Sequence, residues 1–135
     1  MRIVVISAPA RRGGIPDYVS ALARGMESMG HRVDVADAWT DDGTRLPGYE
    51  YLAVAAESAA LFSGNMPESL ARILSGASSL VGKKAAAFLK KTSPFTGKAL
   101  ARLMKALEKE GMVVNWSDII LSAPHAEALG KRVGA

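Results

Sequence analysis

Cysteine is absent from the 135 residues, which excludes a disulfide framework, a thiol nucleophile and thiolate metal ligation, and fits a reducing compartment. Histidine occurs twice. His31 precedes an expected strand and His125 opens an expected helix, and neither has a third residue placed to orient it, so both are read as surface or cap residues. Long apolar runs are missing too: nothing approaches the roughly 20 residues of a membrane-spanning helix. The apolar core of "MRIVVISAPA" is too short for a signal peptide and serves better as a first strand. The cytoplasm is the expected location, with no membrane partner. Missing as well is any G-x-x-x-x-G-K-[ST] loop for nucleoside triphosphates. Ser7 follows a strand as a nucleophile would, but "S-A-P-A-R" lacks the glycine-flanked elbow and has no acid placed to serve it.

What is present is an ordinary globular composition, 49% hydrophobic and 22% charged. A chain of this length forms one domain, expected over residues 1–135, and buries about 70% of the surface its unfolded form exposes. The formal charge of +4 favours anionic partners through a long-range attraction that salt weakens. The basic residues are dispersed except in "GKKAAAFLKKTSPFTGK", where Lys83, Lys84, Lys90, Lys91 and Lys98 flank an apolar segment, as solvated ends of a buried strand do. No aromatic-interleaved basic patch supports nucleic-acid binding, and none is expected.

Ile3 to Ile6 is a β-branched run without polar alternation, the pattern of a strand covered on both faces. Val19, Leu22, Ala23, Met26 and Met29 then recur at helical spacing up to Gly30. "HRVDVAD" alternates as a second strand, "WTDDGTRLPG" is turn chemistry and "YEYLAVAAES" is a third strand. Asn65 and Glu68 have capping-box spacing with Pro67 in the first turn, opening a helix whose face is Leu70, Ile73 and Leu74. "KKAAAFLKK" is a fourth strand. "GKALARLMKALEKEG" is a helix with Leu100, Leu103, Met104 and Leu107 inward and Lys98, Arg102, Lys105 and Lys109 on a wet face. "MVVNWSDIILS" holds a last strand, interrupted around Asn115 to Ser117, before a short helix with Pro124 in its first turn. Five strands alternating with helices, without repeat or linker, require right-handed crossovers and a parallel sheet covered on both faces.

The order of these elements and two of its loops, with a third matching segment, resemble the flavodoxin family over essentially the whole chain. "MRIVVIS" with its loop and "YVSALARGMESMGHRVDV" is similar to the family's first strand, phosphate loop, helix and second strand. "YLAVAAESAALFSGNMPESLARIL" resembles the third strand and a loop flanking the flavin ring, and "AAAFLKKTSPFTGKALARLMKALEKEGMVV" the fourth strand and second ring-flanking loop. The resemblance implies a flavodoxin-like three-layer α/β/α sandwich with a five-stranded parallel sheet of order 2-1-3-4-5. It also implies a ligand at the carboxyl ends of the strands, beside the topological switch point.

The resemblance further implies flavin mononucleotide (FMN) as cofactor and electron transfer or flavin-dependent reduction as activity, with a redox partner protein or a small-molecule acceptor. It places cofactor contacts on Ser7, Ala8, Pro9, Ala10, Arg11, Arg12, Gly13, Gly14 and Ile15. Around the ring it places Ser58, Leu61, Phe62, Ser63, Gly64 and Asn65, then Thr92, Ser93, Pro94, Phe95 and Gly97. Phe62 and Phe95 stand where the family often carries aromatic walls, and each equally suits a core plug; Trp39 and Trp116 are read as packing residues. The opening loop departs from the family's Ser/Thr/Gly-rich pattern. Ser7 is its one hydroxyl, Pro9 removes an N–H donor, and Gly13 with Gly14 keep the backbone approachable. Arg11 and Arg12 offer paired donors to a phosphate instead. Pro16 costs no hydrogen bond at a helix start.

Two functions remain open from sequence: an FMN-binding protein, and a flavodoxin-like module that has lost the flavin and serves in binding or regulation. A receiver domain of similar architecture would need paired acids where Ala8 and Pro9 stand, and an aspartate where Glu57 ends the third strand.

Overall fold

The computed structural model describes residues 1–58, 67–92, 94 and 96–133. Strands β1 (Arg2–Ala8), β2 (Arg32–Asp37), β3 (Tyr51–Glu57), β4 (Lys84–Lys90) and β5 (Val113–Ile120) form one sheet in the order β2-β1-β3-β4-β5, with every pairing parallel. Helices α1 (Asp17–Glu27), α2 (Glu68–Ser75), α3 (Thr96–Lys109) and α4 (Ala123–Gly130), with a short 3-10 turn at Leu46–Gly48, complete the described elements. This is the flavodoxin-like α/β order expected from the sequence.

The strands lie where the β-branched and Ala-rich runs are, because a parallel sheet covered on both faces needs apolar side chains at consecutive positions. Ile3 through Ala8 and Tyr51 through Ala56 are all buried. One face carries Val4, Ile6, Leu52, Val54, Ala87 and Leu89 against Leu70 and Ile73 of α2 and Leu103 and Leu107 of α3. The other carries Ile3, Val5, Ala53 and Phe88 against Val19, Leu22 and Met26 of α1 and Ala126 and Leu129 of α4. Lys84 and Lys90 end a buried β4, and Lys98, Arg102, Lys105 and Lys109 are exposed, as read from the pattern. Trp116 packs edge-on to Phe88 at 5.4 Å between ring centroids.

The interruption in the last strand is a register shift, in which Ala85 pairs with Val114 and Ala86 with Trp116, leaving Asn115 as the extra residue. Asn115 Oδ1 accepts a 2.6 Å hydrogen bond from the Tyr51 hydroxyl. Two local expectations are corrected. Helix α1 ends at Glu27, and Met29 lies beyond it, 55% exposed, because the chain turns at Gly30 with φ +91°. The α2 cap is Pro67, in an extended conformation with its carbonyl accepting from Ala71 N–H at 3.0 Å, so Glu68 is the first helical residue and the capping-box offset fails. Asn65 itself lies outside the described residues.

Candidate functional site

Because all five strands run the same way, their carboxyl ends share one edge of the sheet. From β1 the chain crosses to β2 on one side while β3 lies on the other, and the loop from Pro9 to Pro16 leaves the sheet at that reversal. The loop base is fixed from three sides. The indole Nε1 of Trp39, just past β2, donates to the Pro9 carbonyl at 3.1 Å. Ala10 N–H donates to Glu57 Oε1 at 2.8 Å, and the Tyr18 hydroxyl donates to Glu57 Oε2 at 3.2 Å. Trp39 is held in turn by its own N–H, which donates to Asp37 Oδ1 at 2.9 Å.

Beyond Ala10 the loop opens outward. Arg11 to Ile15 are exposed, and Gly14 adopts φ +89°, a conformation that L side chains rarely take. Pro9 to Pro16 and Glu57 line a depression of about 320 Å³. Among the described residues, neither Arg11 nor Arg12 has a hydrogen-bond or ion-pair partner. Helix α1 starts from Pro16 without a side-chain cap, and Asp17 supplies negative charge in its first turn. Two guanidinium groups therefore share this corner with two carboxylates. Burial, followed by the charge of Glu57, pushes the Tyr18 phenol well above its usual value, so Tyr18 remains the donor of its pair.

Pro9, Ala10, Arg11, Arg12, Gly13, Gly14 and Ile15 thus meet around one depression, while Ser7 and Ala8 sit beneath it, fully buried. Ser7 Oγ has no hydrogen-bond partner among the described residues, and by strand alternation it lies on the face of Ile3 and Val5, under α1. Ser58 and Thr92 come together. Thr92 N–H donates to Ser58 Oγ at 2.8 Å and the two hydroxyl oxygens are 3.0 Å apart, which ties the ends of β3 and β4 and starts the next two loops side by side. Pro94 and Gly97 are exposed on that same third loop and the first turn of α3. Leu61, Phe62, Ser63, Gly64, Asn65, Ser93 and Phe95 lie outside the described residues. His125 Nδ1 accepts from Leu121 N–H at 3.1 Å, in keeping with a cap role.

Sequence reasoning missed Glu57, Tyr18 and the loop-holding role of Trp39. The one available signal was an acidic residue closing the apolar run of β3, at the end of the sheet where an anion was expected.

The donor set fits an external phosphate at the loop tip, through the two guanidinium groups and the exposed backbone of Gly13 to Ile15. It does not fit one at the loop base, where Pro9 has no N–H and the N–H of Ala10 is given to Glu57.

No family model and no curated protein matches the chain. Solved structures do. Oxidised flavodoxin 2 from Bacillus cereus is similar at a TM-score of 0.73 and 15% identity, over 96% of this chain and 95% of that one. Oxidised flavodoxin 1 from the same organism gives 0.71 at 19% identity over the same shares. A flavodoxin from the domain Archaea gives 0.66 at 19% identity, over 98% and 96%. The fold is that of flavodoxins.

Proposed function

We propose that this chain is a single-domain FMN-binding protein, residues 1–135, acting in electron transfer or flavin-dependent reduction with a redox partner protein or a small-molecule acceptor. The supporting observation is the coincidence of place and chemistry: the depression of about 320 Å³ lies at the switch point of the flavodoxin fold and is rimmed by two exposed glycines and two guanidinium groups that have no partner among the described residues. In this reading the side chains of Arg11 and Arg12 and the backbone of Gly13, Gly14 and Ile15 hold the ribityl phosphate, which a guanidinium fork suits. Ser58 and Thr92 position the two loops that flank the ring, with Phe62 and Phe95 as its proposed walls. FMN, when bound, supplies one- or two-electron chemistry, and the chain's part is to bind, orient and shield it. The same reading puts the protein in the cytoplasm, which cell fractionation checks.

Addition of FMN to the purified protein is expected to perturb the flavin's visible spectrum and quench its fluorescence at micromolar concentrations. Arg11→Ala with Arg12→Ala is expected to weaken FMN by about 100-fold, two charge-assisted contacts being worth at least ~1.5 kcal/mol each. Riboflavin, which carries no phosphate, should be affected far less. An intact fold that leaves the FMN spectrum unchanged would sink this reading.

A second reading, a flavin-free binding or regulatory module, is favoured by the Ala10 to Glu57 hydrogen bond, because that bond already occupies a donor at the loop base. The FMN titration separates the two.

A further inference from the structure

Glu57 closes β3 at the switch point and turns its carboxylate across to the opening loop rather than out to solvent. One oxygen accepts from Ala10 N–H at 2.8 Å and the other from the Tyr18 hydroxyl at 3.2 Å. A backbone N–H just past β1 and a hydroxyl at the start of α1 are the donor types that an external phosphate at the loop base would use. Here both are satisfied by an anion that belongs to the chain. Pro9 offers no N–H as a substitute, Ser7 Oγ is buried below, and Asp17 adds a second negative charge in the first turn of α1. Lys90 is the register partner of Glu57 on β4, yet no ion pair joins them among the described residues.

We infer that Glu57 is the loop's resident anion and a specificity-determining residue: it keeps phosphate off the loop base and confines any phosphate-bearing ligand to the Arg11–Ile15 tip. A second anion cannot share the Ala10 N–H, and like charges at hydrogen-bond range oppose one another strongly. A ligand ending in a hydroxyl meets no such opposition and finds in Glu57 an acceptor. This goes beyond the flavin reading, since it concerns which end groups the loop base admits, whatever the rest of the ligand is.

The test is a titration of the whole protein with inorganic phosphate, following backbone amide resonances, with the Ala10 amide as reporter. In the wild type the amides of Gly13 and Gly14 should shift while Ala10 does not. In Glu57→Ala the Ala10 amide should respond, with an apparent phosphate affinity higher by about tenfold or more. Glu57→Gln, which keeps an acceptor for Ala10 but removes the charge, divides the effect. A gain in both variants assigns the exclusion to charge, and a gain in Glu57→Ala alone assigns it to occupancy of the N–H; both support the inference. No gain in either variant, or a wild-type Ala10 amide that shifts with phosphate as the variants do, overturns it. A parallel FMN titration keeps the two ideas apart. Phosphate gained by the variants with no FMN bound by any form would remove the flavin reading and leave Glu57 its role. Tight FMN binding by the wild type, with the Ala10 amide responding, would do the reverse.

Discussion

At the scale of single residues, the Tyr18 hydroxyl steadies the carboxylate of Glu57 that holds the loop base. Tyr18 is 3% exposed, and its burial together with the adjacent Glu57 carboxylate raises its ionisation above the value of about 10 that an unfolded chain shows. A phenol whose folded pKa is raised contributes stability that is fully present below the unfolded value and is lost as pH rises toward the folded one, because the unfolded state releases its proton first. Stability should therefore fall as pH rises above about 10. Tyr51, pushed up to about 12 by burial, adds to the same slope. Tyr18→Phe should cost about 1.5 kcal/mol or more at neutral pH, for one hydrogen bond to a charged acceptor. It should also flatten the alkaline decline, as urea midpoints measured from pH 8 to 11 will show; a decline equal to the wild type's would contradict the role given to Tyr18. Beyond the acidic residue that closes β3, none of this was legible in the sequence. Tyr18 reads as one more apolar position of an amphipathic helix, and Glu57 reads like any charged residue that ends a buried strand. Their pairing exists only because β3 lies next to β1.

At the scale of elements, α1 and α4 pack on the same face of the sheet and approach so closely that two glycines are required. A Cβ on Gly25 would collide with the backbone carbonyl of Glu127, and one on Gly130 with that of Leu22. The obstacle in each case is main chain, which cannot rotate away as a side chain can. Gly25→Ala should thus destabilise the fold by about 1–3 kcal/mol through forced separation of the helices. Gly97→Ala is the matched control. That glycine sits in the first turn of α3 with no described residue within 4 Å of a new Cβ, so the change should be neutral or stabilising by up to ~1 kcal/mol. Denaturant midpoints of the two variants test this directly, and a Gly25→Ala protein as stable as the wild type would show that the helices can part at little cost. The elements themselves were largely legible, because uninterrupted runs such as "IVVIS" and the 3.6-residue spacing of Leu103 and Leu107 respond to which faces are buried. The ends were less so. Pro67 caps α2 where Asn65 was expected to, since its extended ψ, not its helix-compatible φ, sets it outside the helix. The Gly25–Gly130 crossing stayed hidden, because a glycine inside a helix looks like a weak position until the second helix is placed against it.

At the scale of the whole molecule, the charge of +4 is spread over the surface, while the carboxyl edge of the sheet gathers Arg11, Arg12, Lys91 and Lys98 as exposed cations near the loops of the site. Glu57, Asp17, Asp37 and Asp41 offset part of this at the same edge, and at a distance an approaching anion is attracted by the chain's net charge of +4. Long-range attraction of this kind raises association rates more than it strengthens the final contacts, and salt removes it once the screening length falls from about 10 Å at 0.1 M toward about 3 Å at 1 M. On the flavin reading, FMN is steered by its phosphate and riboflavin is not. The association rate of FMN in stopped-flow fluorescence should consequently fall several-fold between low salt and ~0.5 M, while that of riboflavin should change little. Arg11→Ala with Arg12→Ala should reduce the salt dependence for FMN toward that for riboflavin. Equal salt dependence for the two flavins in the wild type would mean that the surface charge is only a solvated exterior, with no part in bringing an anionic ligand to the sheet edge.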